Sequence, residues 1–135
     1  MLKRVTAMTA CLVWASVTVS AGATAADNDG NLARGRTGQG RSIRMKVFPD
    51  RVQLQSFSIE LHCAGGYVLV DQESNFLPST VSRNGHIHDA QVGTTDEILL
   101  RGHMSAHEVS GRIRVRDRLG KYRCSSPWVR FKTHA

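Results

Sequence analysis

Hydrophobic and polar residues alternate along most of the chain beyond residue 40. In the first such run Ile43, Met45 and Val47 alternate with Arg44 and Lys46, which is the period of a β-strand with one buried face. Similar runs recur at residues 52–63, 97–104, 109–116 and 128–133. No stretch after residue 27 shows the period of a capped helix. We therefore predict an all-β fold, an antiparallel β-sandwich of about seven or eight strands, with a small β-barrel as the alternative.

Two local features refine this prediction. The alternation changes parity between Leu54 and Phe57, so we expect a β-bulge near Gln55–Ser56, where one extra residue would enter the strand. Asn84-Gly85 is the dipeptide most typical of a tight hairpin turn, and it predicts a strand over residues 86–92 directly after it.

The N-terminal segment has the composition of a secretory signal peptide. Lys3 and Arg4 precede a stretch of apolar and small residues that ends in Ala-Thr-Ala. A transmembrane anchor is the alternative, but the stretch carries many Thr and Ser residues and has no basic flank after it. We assign residues 1–26 to a signal peptide, 27–40 to a flexible polar arm because they are polar and Gly-rich, and 41–135 to the β-sandwich domain. The formal net charge of +7 falls to +5 with the loss of Lys3 and Arg4.

Removal of the signal peptide leaves a single pair of cysteines, Cys63 and Cys124, because Cys11 is lost with it. In an exported protein an even pair predicts a disulfide. Two buried free thiols are the alternative, whereas a zinc site lacks the closely spaced second Cys that such sites use. We interpret the segment that carries Cys124 and Pro127 as a loop. The disulfide would close roughly 60 residues and contribute about 4 kcal/mol in the chain-entropy description.

Short motifs spread over most of the mature chain give it a family resemblance. They are GRTGQGRSI at 35–43, the strand ending in Cys63, SRNGHI at 82–87, RGHM at 101–104, SGRIRVR at 110–116, and Cys124 with WVRF at 128–131. With them the chain resembles a family of small secreted bacterial β-sandwich proteins of unknown function. The resemblance implies the fold, the disulfide and an extracytoplasmic location, and it brings no catalytic residue. The chain departs from the family pattern at His86, His88 and His103, where Arg or small polar residues are expected.

Basic residues cluster on the polar faces of the last two predicted strands. Arg112, Arg114 and Arg116 share one face. If the last strand pairs beside theirs, it adds the residues of its own polar face, namely Trp128, Arg130 and Lys132. Guanidinium groups bind phosphate or carboxylate and an indole stacks on rings, so the cluster indicates an anionic polymer as ligand. The alternative is that Arg residues keep an exposed sheet soluble and Trp128 packs under a loop.

Three histidines form a second candidate site. His86 and His88 share one face of a predicted strand, and His103 is expected on the strand that follows. Three converging imidazoles could bind Zn²⁺ or Cu²⁺. The alternative is surface histidines that bind no metal, with or without a charge that changes with pH.

Motifs for catalysis or cofactor binding are missing from the sequence. Residues 35–42 approach a phosphate-binding P-loop but lack its Lys, and a strand rather than a helix is predicted after them. The chain has neither a Gly-x-Ser-x-Gly elbow nor a His-Glu-x-x-His helix, and its paired carboxylates fall in predicted turns. We therefore predict a protein that is not an enzyme and has no cofactor.

Together these observations predict a secreted or periplasmic, non-catalytic binding or surface-interaction module. Its expected partner is an anionic cell-surface polymer or a secreted protein. We expect no membrane insertion of the mature chain, and we do not expect nucleic acid as the physiological partner because the chain is exported. The alternatives are a proteinaceous inhibitor of a secreted hydrolase and a metal-binding protein that uses the surface histidines.

Overall fold

The structure is a computed structural model that describes residues 30–73 and 76–135. Within these ranges the chain forms ten strands and no helix, so none of it is a helix of the length and apolar character that crosses a membrane. The strands are β1 (Asn31–Thr37), β2 (Ser42–Val47), β3 (Arg51–Cys63), β4 (Gly66–Glu73), β5 (Ser79–Thr80), β6 (His86–Val92), β7 (Asp96–Ser105), β8 (Glu108–Leu119), β9 (Tyr122–Ser125) and β10 (Val129–His134). The predicted signal peptide, residues 1–26, lies outside the described residues.

Six of these strands close into a barrel in the order β1-β2-β3-β9-β8-β10 and back to β1. Every neighbouring pair in this ring is antiparallel. The ring closes because one edge of the long strand β8 pairs first with β10 and then with β9, while β9 also reaches β3 through His62 and Ser125. The all-β prediction is confirmed, and the small barrel given as the alternative is the architecture observed.

The other four strands extend the sheet beyond the barrel. β4 and β5 pair with the second edge of β3. β7 pairs along the second edge of β8, and β6 pairs with β7. The turn predicted at Asn84-Gly85 precedes β6, and Gly85 donates its N–H to the Ser82 carbonyl with a φ of +81°, a left-handed conformation that glycine adopts without steric cost.

The core is filled by the hydrophobic members of the alternating runs. Its largest fully buried side chains are Ile43, Met45, Leu54, Ile59, Leu61 and Ile113. Each such side chain contributes roughly 1.5–3 kcal/mol when it leaves water. Since successive strand residues point to opposite faces, this burial fixes the Arg and Lys residues of β2, β8 and β10 on the outside.

The predicted bulge is present in β3. Arg44 of β2 pairs with Ser56, whereas the next residue, Met45, pairs with Leu54, so Gln55 has no partner on β2. The extra residue shifts the alternation of β3 by one position. The hydrophobic residues before and after the bulge therefore both face the interior, and Leu54 and Phe57 are buried although they are three residues apart.

The flexible arm predicted for residues 27–40 is wrong where the structure describes it, because residues 31–37 form β1 between β2 and β10. Ala33 and Thr37 face the interior. A Cβ at Gly35 would collide with the Lys132 carbonyl oxygen, so the glycine that suggested flexibility permits a close approach of two strands. The barrel domain therefore begins at β1 and not at residue 41.

The disulfide between Cys63 and Cys124 is confirmed, with Cα atoms 4.3 Å apart. Cys63 ends β3, and Cys124 lies in β9 rather than in the predicted loop. The bond thus links two strands of the barrel wall close to the single pairing between them.

Candidate functional site

The predicted basic cluster lies on the outer side of β8 and β10, whose other neighbours are β7 and β1. On β8 the inward residues Val109, Ile113 and Val115 are buried, so Arg112, Arg114 and Arg116 face outward. On β10 the inward residues Val129 and Phe131 are buried, and their polar neighbours face outward in turn. The predicted pairing of the last strand beside β8 is confirmed, with Arg130 directly opposite Arg112.

Strand register aligns three arginines in one row across the sheet. Arg101 of β7 lies opposite Arg112 of β8, which lies opposite Arg130 of β10. All three side chains are exposed, and none forms an ion pair with a carboxylate of the described residues. Neighbouring strands are about 4.8 Å apart, so the row spans roughly 10 Å.

Trp128 lies beside this row and is covered by Arg101. The Arg101 guanidinium carbon is 5.1 Å from the centre of the indole ring, within the range of a cation–π contact. Trp128 is half-buried, so it supports Arg101 and is not the freely exposed ring that the sequence suggested.

A shallow depression of about 460 Å³ lies next to the arginine row. Its basic lining residues are Arg36, Arg112, Arg130 and Lys132, and backbone of Gly38 and Gly111 contributes to its wall. Arg36 reaches the site because β1 pairs with β10, which places Arg36 opposite Lys132. The Arg36 Nη1 donates to the Gly40 carbonyl oxygen at 2.9 Å, which restrains the side chain. We call Arg36, Arg101, Arg112, Arg130 and Lys132 the basic face.

Two of the predicted ligand-binding residues are engaged by carboxylates. The Arg116 Nη1 is 3.3 Å from the Glu97 Oε2, and the Lys132 Nζ is 3.2 Å from the Glu108 Oε2. Exposed pairs of this kind contribute about 0–1 kcal/mol, so Lys132 can exchange its partner for a ligand. Arg116 lies beyond the end of β10, where β8 pairs with β9, and is separated from the depression.

Arg114 differs from its neighbours on β8. It is half-buried, and its buried Nε has no hydrogen-bond partner among the described residues. The structure therefore supports Arg112, Arg130 and Lys132 as neighbours in one site, with Trp128 at its edge, and places Arg114 and Arg116 outside the depression.

The histidine side chains lie on the same outward surface. His86 and His103 are directly opposite each other, with ring centroids 5.4 Å apart, whereas His88 is opposite Arg101. The His103 Nε2 donates to the Asn84 carbonyl oxygen at 2.9 Å, so that nitrogen is already used. Among the residues that the structure describes, no three His, Cys, Asp or Glu side chains are grouped as a metal site requires, and the predicted convergence of three imidazoles is not observed.

Sequence reasoning missed two members of the basic face, Arg101 and Arg36. The parity of β7 gave the signal for Arg101, since Ile98 and Leu100 point inward and Arg101 must then point outward. Its position opposite Arg112 depends on the register of the β7–β8 hairpin. Arg36 fell in the predicted flexible arm, and no pattern in the sequence indicated that it would lie on the basic face.

No protein-family model, curated protein or solved structure matches the chain. The resemblance to small secreted bacterial β-sandwich proteins therefore stays a prediction, and a function has to be argued from the geometry of the chain itself.

Proposed function

We propose that this protein is a non-catalytic module that binds anionic polymers outside the cytoplasm through the basic face. The ligand class is a chain with repeated phosphate, sulfate or carboxylate groups, such as an acidic cell-surface glycan. The disulfide and the signal-like N-terminal sequence support an exported protein, because such bonds persist in oxidising compartments.

The row Arg101–Arg112–Arg130 is the observation that carries the proposal. Like charges directly opposite each other on adjacent strands destabilise a sheet. A sheet that needed only solubility would alternate charges of both signs, and this row has no carboxylate between its arginines. The arrangement costs folding stability, and an anion placed over the row would offset that cost.

The shape of the site favours a polymer over a single small anion. The depression is open to solvent and is bordered by cations that come from β1, β8 and β10. Arginine forks bind oxyanions in a bidentate manner. A chain that crosses the strands would meet successive guanidinium groups at a spacing of about 4.8 Å, while a lone ion would contact few of them.

Retention on an immobilised sulfated polysaccharide at increasing salt tests this proposal. In Arg112→Ala/Arg130→Ala, elution should move to lower salt, and the slope of log affinity against log salt should fall by about two because two cation contacts are lost. The matched control is Arg118→Ala/Arg123→Ala, which removes another directly opposed arginine pair, in the β8–β9 hairpin.

The control variant carries the same net charge as the test variant but keeps the basic face. We expect its retention to stay near that of the unaltered protein. Equal losses in both variants would mean that net charge alone determines binding, and the proposed site would then be wrong.

A further inference from the structure

A second surface combines exposed apolar side chains with cations, at the disulfide end of the barrel. Tyr67, Val68 and Leu69 of β4 and Tyr122 of β9 are 68%, 39%, 45% and 47% exposed. We call these four residues the tyrosine patch. They lie at or near the tips of the β3–β4 and β8–β9 hairpins, which turn at Ala64-Gly65 and Gly120-Lys121.

The two hairpin tips form one continuous surface. The Cys63–Cys124 disulfide joins them at the base. Above it lies a recess of about 310 Å³, whose wall includes Tyr67, Val68, Leu119 and Tyr122, and every residue that lines this recess is uncharged. Exposed apolar side chains gathered around one recess mark an interaction site more often than scattered ones do.

Cations flank the tyrosine patch on its β8–β9 side. Lys121 forms the tip of the β8–β9 hairpin with its Nζ 5.3 Å from the Tyr122 ring centre. Arg118 and Arg123 are exposed and directly opposite each other one step further from the tip. The nearest carboxylates are the half-buried Glu60, opposite Leu69, the half-buried Asp117, opposite Cys124, and the exposed Asp71, two residues beyond Leu69 on the same face of β4. Cations therefore dominate the exposed rim at the β8–β9 tip.

We propose that the tyrosine patch docks on an anionic lipid surface at the depth of the headgroups. Tyrosine is enriched at membrane interfaces, where its ring meets the acyl boundary and its hydroxyl stays hydrated. Lys and Arg beside it are attracted to anionic headgroups, by about fivefold in partitioning per cation. Two protruding hairpin tips suit shallow insertion, and the barrel itself stays in water.

A second pair of exposed apolar residues has acidic rather than basic neighbours. Leu77 and Val92 are 71% and 76% exposed, and they border a depression together with Asp89 and Asp96. Acidic neighbours would repel an anionic membrane, so this pair offers comparable apolar exposure with the opposite charge. It provides a matched control for the tyrosine patch.

Co-sedimentation of the exported chain, residues 27–135, with equimolar phosphatidylglycerol–phosphatidylcholine vesicles tests the proposal. We expect binding that partly survives about 1 M NaCl, where the Debye length is only about 3 Å. Tyr67→Ser/Tyr122→Ser should lower the partition coefficient by at least about tenfold, because apolar burial in the interface is lost. Leu77→Ser/Val92→Ser should leave it unchanged, and vesicles of phosphatidylcholine alone should bind more weakly.

Three results would overturn the proposal. Binding by Tyr67→Ser/Tyr122→Ser equal to that of the unaltered protein would remove the patch from the interface. An equal loss in Leu77→Ser/Val92→Ser would show a general effect of apolar residues. A dimer that dissociates in the tyrosine variant would assign the patch to a second copy of the chain. Both variants alter exposed positions, so we expect both to fold, and circular dichroism is the control.

This proposal is independent of the polymer-binding function. Arg112→Ala/Arg130→Ala should lose retention on the polysaccharide while it keeps the salt-resistant part of vesicle binding. If that variant instead lost all vesicle binding, the basic face would be the lipid contact and the tyrosine patch would not.

Discussion

The arginines of the basic face show how one residue can serve binding at the expense of folding. Arg112 has an arginine opposite it on each side, Arg101 on β7 and Arg130 on β10. Its neighbours therefore repel it in the empty protein and would assist it when an anion is bound. An arginine in such a position should lower the stability of the fold and raise the affinity for an anionic ligand.

Replacement of the central arginine separates these two effects. We expect Arg112→Thr to raise the free energy of unfolding by about 0.5 kcal/mol, because two like-charge contacts disappear, and to weaken retention on the anionic polysaccharide. Urea denaturation at low salt measures the first effect. Arg83→Thr, in the turn before β6 and outside every strand pairing, removes the same charge without a like-charge contact and should raise stability less than Arg112→Thr does. A destabilised Arg112→Thr would contradict the prediction.

At the scale of elements, β1 determines whether the barrel is closed. It pairs with β2 on one side and with β10 on the other, and it supplies Arg36 to the basic face. The glycine at position 35 lets its backbone approach that of β10, where a side chain would meet the Lys132 carbonyl oxygen. The closure of the barrel thus depends on one position without a side chain.

A methyl group at position 35 should disturb the pairing of β1 with β10. We expect Gly35→Ala to lower the free energy of unfolding by about 1–3 kcal/mol, as overpacking does elsewhere. Gly38→Ala is the matched control, because a Cβ there would find only ordinary contacts at 3.7 Å or more. Thermal melting of both variants measures the difference, and equal melting temperatures would refute the role assigned to Gly35.

Two kinds of sequence signal, the parity of the strands and the residues of the turns, decided how much of these elements could be predicted. Parity in β8 and β10 was enough to place Arg112, Arg130 and Lys132 outside. The β7–β8 register was not predictable, because its two-residue turn uses Ala106 at a φ of +41° with His107. Turns of this kind normally carry Gly, Asn or Asp. Without that signal, Arg101 could not be aligned with Arg112.

For the whole molecule, the disulfide is the main constraint on the unfolded chain. It closes a sequence separation of 61 residues and joins two barrel strands that share a single residue pairing. Sequence arithmetic predicted the bond from the cysteine count, whereas it gave no indication that the bond lies in the wall of a closed barrel.

Removal of the disulfide should remove most of the stability that closing a loop of this length provides. We expect Cys63→Ala/Cys124→Ala to lower the free energy of unfolding by about 4 kcal/mol in urea denaturation. A reducing agent should destabilise the unaltered protein by a similar amount and leave the variant unaffected. A loss below about 1 kcal/mol would show that packing around β9 is sufficient without the bond.

The pairing of β1 with β10 also has a consequence for the order in which the protein can fold. The first and last strands of the described chain are neighbours, with Arg34 opposite His134. The ring therefore cannot close during synthesis until the final strand has emerged. Contacts between such distant segments form slowly because the intervening chain must be ordered first. Until β10 is available, β1 and the first half of β8 each keep one edge that no other described strand covers.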